Sequence, residues 1–368
     1  MKILVVEDNE EYIETYKVGI KNFNEKNGLK IDVEYAQNIK SWFETIQKNE
    51  FDGAIIDLNL PRQDSVTTDA ESIYNQDGEK IIEDISMERR FPIAVVSAFA
   101  DSIDEKYKIK EGLFLRIYQR GDEDIDKILS EFVQINKMGI AKIFGRTGKI
   151  EEFINKIYYD NIQSTLKAED KGVTEDRILR YFSMVLQEYL DIENVNGGFT
   201  KYGQFEFYIA PPVKKFHFTG EIIKIKRSKG NGETEEISDK YVILTPACDM
   251  VERDGNKCKC ENDIVCIKVI SGDDIIKIEG KTAKNKENQN KYLDDDIKPN
   301  RNQRYHYLPE VSDIMDKNSF IDFRRIITLD RLDDNIIESV ATISAPFLKD
   351  IIARFSYYYS RQGQPELK

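Results

Sequence analysis

Two apolar stretches of this sequence end in acidic residues. KILVVED (2–8) is an aliphatic run closed by Glu7 and Asp8, and FDGAIIDLNLP (51–61) delivers Asp57 shortly before a proline. Continuous apolar runs of this length are typical of strands buried on both faces. An isolated carboxylate is costly to bury, so it needs a metal, a partner or an open edge of the sheet. Few folds can accommodate two strands that are buried along their length and end in acidic residues.

Strand-like and helical patterns alternate through the first third of the chain. After the first strand the pattern predicts a helix from Asn9 to about Asn27, a strand at 31–36, a helix around Trp42, the strand carrying Asp57, and strands at 91–100 and 113–118. This alternation predicts an α/β fold with a parallel sheet covered by helices on both faces. Ligand sites in such sheets lie beyond the carboxyl ends of the central strands. Three carboxylates meeting there repel one another unless a hard cation such as Mg2+ binds.

Four motifs in this region agree with one another. They are the acidic pair in VVEDN, the strand FDGAIIDLNLP with proline four residues after the aspartate, DGEKIIEDI (77–85) at a helix start, and the hydroxyl-bearing strand end VVSA. Together they make residues 1 to about 122 resemble the receiver domain of two-component response regulators. The resemblance implies a flavodoxin-like, doubly wound fold.

The resemblance also implies the roles of individual residues. Asp57 would accept a phosphoryl group, and Mg2+ would be held by Glu7, Asp8, Asp57 and the main-chain carbonyl of Asn59. Ser97 would contact a phosphoryl oxygen. The implied partner is a histidine kinase or a phosphotransfer protein, and no enzymatic activity beyond self-dephosphorylation is expected. The alternative is a pseudo-receiver that carries the same acids without phosphorylation and serves as a docking platform.

The sequence departs from the receiver pattern in two places. Between Asp57 and Gly78 it inserts NLPRQDSVTTDAESIYNQD (59–77), a polar loop of the kind that often forms a lid or a partner surface. Receivers present a lysine at the end of the last strand, where this chain reads RIYQRG. Gln119 or Arg120 takes that place, and an arginine would neutralise phosphate whereas a glutamine would only hydrogen-bond. Tyr118 is the nearest candidate for the aromatic switch position.

The remaining chain divides into two parts, giving domains at 1–140, 141–195 and 196–368. The middle part is a helical connector with amphipathic segments at 149–162 and 174–192. These segments fit either a signalling or homodimerisation helix pair or helices that pack on the chain's own C-terminal domain. After residue 196, short alternating strands predict a β-rich barrel or SH3-like module that ends in a helix.

The β-rich module contains all four cysteines. Cys248, Cys258, Cys260 and Cys266 are candidates for a four-thiolate Zn2+ site, because tetrahedral zinc suits sulfur ligands. Their spacing lacks the paired Cys-x2-Cys arrangement of strong zinc motifs, so buried or incidental thiols are the other interpretation. The output is predicted to be binding of a downstream effector protein. The alternative is an effector that itself acts on nucleic acid or nucleotides.

Charge and hydropathy exclude several classes of protein. The net charge of −13 argues against a main surface that tracks nucleic-acid phosphates. No apolar run reaches the length of about 18 residues needed to span a bilayer, and MKILVVEDNE turns acidic too early for a signal peptide. These features predict a cytoplasmic protein with no membrane partner.

Overall fold

The computed structural model describes the chain except residues 59, 61–80, 83–89, 99, 104, 123, 146, 167–171, 192–200, 229–233, 252–262, 283, 331–336 and 362–368. The chain forms two compact units, Met1–Ile192 and Glu193–Lys368. The first unit therefore includes the helices that follow the predicted receiver boundary at residue 140. Within the described ranges, no helix combines the length and the apolarity needed to cross a membrane.

The first unit is built on a parallel sheet of five strands. The strands are β1 (Lys2–Val6), β2 (Asp32–Ala36), β3 (Gly53–Asp57), β4 (Ile93–Ser97) and β5 (Leu115–Gln119). Their spatial order is β2-β1-β3-β4-β5, and each neighbouring pair runs parallel. This order is that of flavodoxin-like sheets, in which the chain changes direction beside the first strand. The predicted doubly wound α/β fold is confirmed.

Helices cover both faces of this sheet and complete two apolar layers. They are α1 (Glu10–Asn27), α2 (Ile39–Lys48), α3 (Glu105–Lys108) and α4 (Ile125–Lys137). The side chain of Asn9 caps α1 by accepting from the backbone N–H of Glu11. The helix ends where Gly28 adopts a left-handed backbone with φ of 61°, a conformation that glycine tolerates without a side-chain clash. Trp42 on α2 and Phe132 on α4 are buried in opposite layers of the core.

Four further helical segments complete the first unit. They are α5 (Ile140–Phe144), α6 (Lys149–Lys156), which continues through a π-helical turn (Ile157–Ile162) into α7 (Gln163–Thr165), and α8 (Glu175–Asp191). Tyr189 of α8 packs its ring 5.9 Å from that of Phe153 and donates its hydroxyl to Asn161. The described contacts of α8 thus join it to the preceding helix, while Leu179 and Leu190 remain exposed. Homodimerisation through this surface stays a prediction.

The second unit is built on an antiparallel sheet of seven strands. In chain order they are β6 (Tyr208–Ile209), β7 (Glu221–Ser228), β8 (Thr234–Ile243), β9 (Asp263–Ser271), β10 (Tyr305–Leu308), β11 (Ser319–Asp330) and β12 (Ile337–Ile343). Their spatial order is β10-β11-β9-β8-β7-β12-β6, with antiparallel neighbours throughout. The β-rich character is confirmed, whereas the barrel or SH3-like topology stays a prediction.

Helices pack against this second sheet. They are α9 (Ala247–Met250), α10 (Gly272–Ile278), α11 (Lys286–Tyr292), which leads into a π-helical turn (Leu293–Ile297), and α12 (Ala345–Ser360). The segment 277–303 is rich in polar residues, a composition that predicts a loop, but the structure forms α11 and the π-helical turn within it. The side chain of Asn285 caps this helix, and Leu293 and Ile297 bury its far end. A cap and two apolar residues stabilise a helix whose surface is otherwise polar.

Two buried titratable groups should make the second unit sensitive to acid. Burial lowers the pKa of His306, although its Nε2 lies 3.1 Å from Asp350. Burial alone would raise the pKa of Glu221, but hydrogen bonds from His217 and Ser339 outweigh it and the pKa is lowered. For both groups the unfolded chain binds protons more readily than the folded unit. Stability is therefore complete above the ordinary His pKa of 6.5 and is lost as the pH falls.

We expect hydrogen exchange in residues 263–330 to accelerate between pH 7 and pH 5, after correction for the intrinsic rate. His306→Gln, which cannot gain a charge, should reduce this acceleration. Lys291→Gln on α11 is the control and should leave it unchanged. Equal acceleration in the wild type and in His306→Gln would contradict the assignment to His306.

Candidate phosphoryl-acceptor site

The candidate site lies at the carboxyl edge of the parallel sheet. Glu7 directly follows β1, Asp57 ends β3, Ser97 ends β4 and Arg120 directly follows β5. Because these strands are parallel, their carboxyl ends meet at one edge. The fold therefore brings together side chains that lie up to 113 positions apart in the sequence.

Three acids converge at this edge. Glu7, Asp8 and Asp57 each offer one carboxylate oxygen, and these oxygens lie within 4.8 Å of one another. Glu7 and Asp57 are buried, whereas Asp8 is exposed to solvent. Mg2+ takes oxygen ligands and keeps several waters, so two buried carboxylates beside an exposed one are a donor set that fits it. Asn59, predicted as the main-chain ligand, falls outside the described residues.

Arg120 bridges the two buried carboxylates. Its Nη2 lies 2.8 Å from Glu7 Oε2 and 2.9 Å from Asp57 Oδ2. The guanidinium carbon stands 4.1 Å from the ring centroid of Tyr12, close enough for a cation–π contact. The other terminal nitrogen, Nη1, is buried and has no hydrogen-bond partner among the described residues. This arginine is therefore held between Glu7 and Asp57, with one donor group unpaired among the described residues.

The sheet register decides which residue reaches Asp57. Gln119 pairs with Ser97 across β4 and β5, and its side chain donates to the carbonyl of Ala98 at 2.8 Å. The next residue, Arg120, donates its backbone N–H to the carbonyl of Ser97 at 2.9 Å and turns its guanidinium toward Asp57. Of the two residues considered for the lysine position, Arg120 is the one that contacts Asp57.

The charges in the site perturb the pKa values of its members. Burial raises the pKa of Glu7, and Asp57 adds to this, while the hydrogen bond from Arg120 opposes it. Burial alone would lower the pKa of Arg120, but the carboxylates of Asp57 and Glu7 outweigh it and raise that pKa further above its ordinary value. Arg120 stays charged, and its charge is what allows two carboxylates to be buried side by side.

Two other predicted positions have well-defined surroundings. Ser97 is fully buried at the end of β4, one strand away from Asp57. Tyr118 donates its hydroxyl to Glu131 of α4 at 3.3 Å, and burial with the nearby Glu131 charge raises its pKa to about 12. Tyr118 is thus held by α4. The insertion at 59–77 falls outside the described residues except for Leu60, which is buried.

Tyr12 is a site residue that was not predicted from the sequence. It lies on α1, one turn after the Asn9 cap, and is 40% exposed although it stacks on Arg120. An aromatic residue in the first turn of a helix that begins at the acidic edge was the available signal. Without the position of Arg120, that signal does not distinguish a site residue from an ordinary surface tyrosine.

The described cysteines lie in different surroundings. Cys266 is buried on β9 in an apolar cluster with Ile223, Ile243, Met250 and Ile264. Burial, with a smaller effect of the Glu221 charge, raises its pKa to about 12, which keeps the sulfur protonated. Cys248 is exposed on α9, and the other two cysteines fall outside the described residues. Zinc binding would itself remove the thiol proton, so this pKa does not decide the matter, and the four-cysteine zinc site stays a prediction.

Comparisons with solved structures return receiver domains. A receiver domain from Methylobacillus flagellatus is 19% identical and has a TM-score of 0.28, with 37% of this chain and 98% of that chain covered. The receiver domain of the Francisella response regulator 1452 is 23% identical, with a TM-score of 0.28 and coverages of 37% and 97%. One from Methanospirillum hungatei JF-1 is 17% identical, with a TM-score of 0.28 and coverages of 38% and 98%.

No family model and no curated protein matches the chain. Because the TM-scores are below 0.5, the fold of the first unit is assigned from its strand order and from the direction of its strands. On those observations, the first unit has a flavodoxin-like, doubly wound fold.

Proposed function

We propose that the first unit is a receiver that accepts a phosphoryl group on Asp57 from a histidine kinase or a phosphotransfer protein. The observation that carries the proposal is the convergence of Glu7, Asp8 and Asp57 at the carboxyl edge, with the guanidinium of Arg120 on the acceptor carboxylate. A salt bridge that only stabilised the fold would need one carboxylate. Here two buried carboxylates and an exposed one lie around a single cation, Arg120. This excess of negative charge supports a site that binds a second cation.

Glu7, Asp8 and Asp57 would hold Mg2+, together with the main-chain carbonyl of Asn59. When bound, the ion supplies positive charge that offsets the charge developing on the phosphoryl oxygens. Arg120 Nη2 contacts both Glu7 Oε2 and Asp57 Oδ2, so these two oxygens would be available to Mg2+ only if the guanidinium moved away from them.

The residues of the chain promote phosphoryl transfer through their positions and their charges. Asp57 carries the attacking oxygen, which forms a P–O bond as the P–N bond of the donor phosphohistidine breaks in line with it. Arg120 neutralises the transferred group, and its unused Nη1 is a donor for a phosphoryl oxygen. Ser97 would donate its hydroxyl to another oxygen. Burial of the acceptor strengthens each of these interactions, because water screens them less.

The test is phosphorylation of the full chain by acetyl phosphate. With Mg2+, a slower band should appear on a phosphate-affinity gel, and chelation of the metal with EDTA should remove it. Asp8→Asn should require more Mg2+ for half-maximal phosphorylation, by about tenfold or more, because one carboxylate ligand is lost. Glu10→Gln on α1 is the matched control and should need the wild-type concentration. Equal phosphorylation with Mg2+ and with EDTA would contradict the proposed metal role.

A pseudo-receiver is the second candidate, and one observation favours it. Arg120 already bridges Glu7 and Asp57, so the pocket is neutralised by the chain itself. In that case the first unit would present a fixed surface to partners, with no dependence on phosphorylation. Absence of a shifted band under every condition, with the fold intact, would support this candidate. If the first unit is a phosphorylated receiver, the second unit would pass its state on by binding a downstream effector protein.

A further inference from the structure

A cationic cavity lies in the second unit. It has a volume of about 580 Å3, within the range of small-molecule sites. Its lining includes Arg301, Arg304, Arg324 and Arg361, from the segment before β10, from β11 and from the end of α12. Among the described residues, arginines are the cations that line it, although the chain as a whole is acidic. Four guanidinium groups brought together from three segments indicate a site for an anion.

The back wall of this arginine cavity is fixed by an internal ion pair. Arg304 donates from Nε and Nη2 to the two carboxylate oxygens of Asp322, each at 2.8 Å, and Asp322 is completely buried. Arg304 Nη1 lies 3.7 Å from Glu279, the acid that lines the cavity. The charge of Arg304 is therefore neutralised by acids of the protein itself. Its role in the cavity is to hold the wall in place.

Two other arginines are positioned by an aromatic side chain instead. Arg324 donates from Nε to the hydroxyl of Tyr358, and Arg361 stacks with its guanidinium carbon 4.2 Å from the Tyr358 ring. Arg361 also donates from Nη1 to Gln303 at 2.7 Å. Within the described part of the chain, no ion pair joins Arg301, Arg324 or Arg361 to a carboxylate. The guanidinium groups of Arg324 and Arg361 are thus oriented without being neutralised.

We propose that the arginine cavity binds a small molecule that carries two or more phosphate groups. Each guanidinium presents a planar fork that matches two phosphate oxygens, and separate forks fit a chain of phosphates better than a single carboxylate. The cavity volume of about 580 Å3 is the size of a small-molecule site. The net charge of −13 disfavours a long polyanion, which would extend beyond the basic lining. Nucleoside di- and triphosphates and inorganic polyphosphates share this chemistry.

The test is titration calorimetry of the full chain at low ionic strength with inorganic triphosphate, ATP and AMP. Triphosphate and ATP should bind, and AMP should bind at least tenfold more weakly because it has one phosphate. Equal affinity for triphosphate and ATP would identify the phosphate chain as the whole determinant. Tighter binding of ATP would show that the nucleoside adds contacts, which also supports the proposal. Absence of binding by both would overturn it.

Variants connect the binding to the cavity. Arg324→Gln and Arg361→Gln should each raise the dissociation constant about tenfold, because each removes a charge-assisted contact. Arg324→Lys keeps the charge without the fork and should fall between Arg324→Gln and the wild type. Arg180→Gln, an exposed arginine on α8, is the matched control and should bind as the wild type does. Wild-type affinity in all the cavity variants would overturn the proposal.

A single-stranded RNA of 20 nucleotides provides the competing outcome. If the RNA binds more tightly than triphosphate and loses affinity in the same variants, the cavity belongs to a nucleic-acid surface, and the small-molecule proposal is overturned. If it binds more weakly than triphosphate, the proposal stands. Circular dichroism of each variant confirms that the fold is retained.

Discussion

Arg120→Ala should lower the free energy of unfolding of the first unit by about 3 kcal/mol in the absence of divalent cations. The substitution leaves Glu7 and Asp57 buried side by side without the cation that contacts both. Trp42 is the sole tryptophan and is completely buried in this unit, so its fluorescence during urea unfolding reports on this unit. Mg2+ should restore part of the loss, because it replaces the missing charge.

Arg116→Ala is the matched control for Arg120→Ala. Arg116 lies on β5, the strand that Arg120 directly follows, is 46% exposed, and lies 3.8 Å from Glu131. An exposed ion pair of this kind contributes about 1 kcal/mol or less. A loss in Arg120→Ala no larger than in Arg116→Ala would contradict the view that Arg120 is what allows the two acids to be buried.

Asp57→Asn should abolish phosphorylation by acetyl phosphate and Mg2+. An amide oxygen is a poor nucleophile and a weaker ligand for Mg2+ than a carboxylate, so the variant removes the reaction at its first step. The fold should survive, because the asparagine oxygen can still accept from Arg120 and one of two repelling carboxylates is gone. Phosphate-affinity gels and intact mass measure the outcome.

Asp52→Asn provides the comparison for Asp57→Asn. Asp52 immediately precedes β3 at the opposite end of the sheet, where its Oδ2 accepts from the backbone N–H of Lys2 at 2.8 Å. Asparagine can keep that hydrogen bond, and the carboxyl edge is untouched. Asp52→Asn should be phosphorylated as the wild type is. Phosphorylation of Asp57→Asn at the wild-type rate would refute the assignment of the acceptor.

The acidic half of the site could be predicted from the sequence. Buried parallel strands appear as unbroken apolar runs, and Glu7 and Asp57 follow or end such runs directly. Once the strands are parallel, their carboxyl ends coincide at one edge. Local patterns and one rule of topology were therefore enough to place these acids together, with no knowledge of side-chain packing.

The cationic half could not be predicted in the same way. A shift of one residue in a strand turns every side chain to the opposite face, so counting along RIYQRG leaves Gln119 and Arg120 equivalent. The pairing of Ser97 with Gln119 across β4 and β5 leaves Arg120 as the residue that contacts Asp57. That register depends on the packed sheet. The contact of Tyr12 with Arg120 likewise depends on the packed structure.

The arginine cavity also could not be predicted from the sequence, because its residues lie far apart along the chain. Arg301 and Arg361 lie 60 positions apart, since 361 − 301 = 60, and neither occurs in a motif that marks a site. They meet because α12 follows β12 and ends beside the segment that precedes β10. Long-range pairing of this kind leaves no periodic signal in the sequence.

Chemical mapping of the acceptor tests the central claim most directly. After reaction with acetyl phosphate and Mg2+, hydroxylamine converts an aspartyl phosphate into a stable hydroxamate at the residue that carried it. Trypsin should release residues 49–62, which contain both Asp52 and Asp57. Fragmentation should place the hydroxamate on Asp57 and leave Asp52 unmodified. A hydroxamate on another residue, or none in a sample that shows the shifted gel band, would contradict phosphorylation at Asp57.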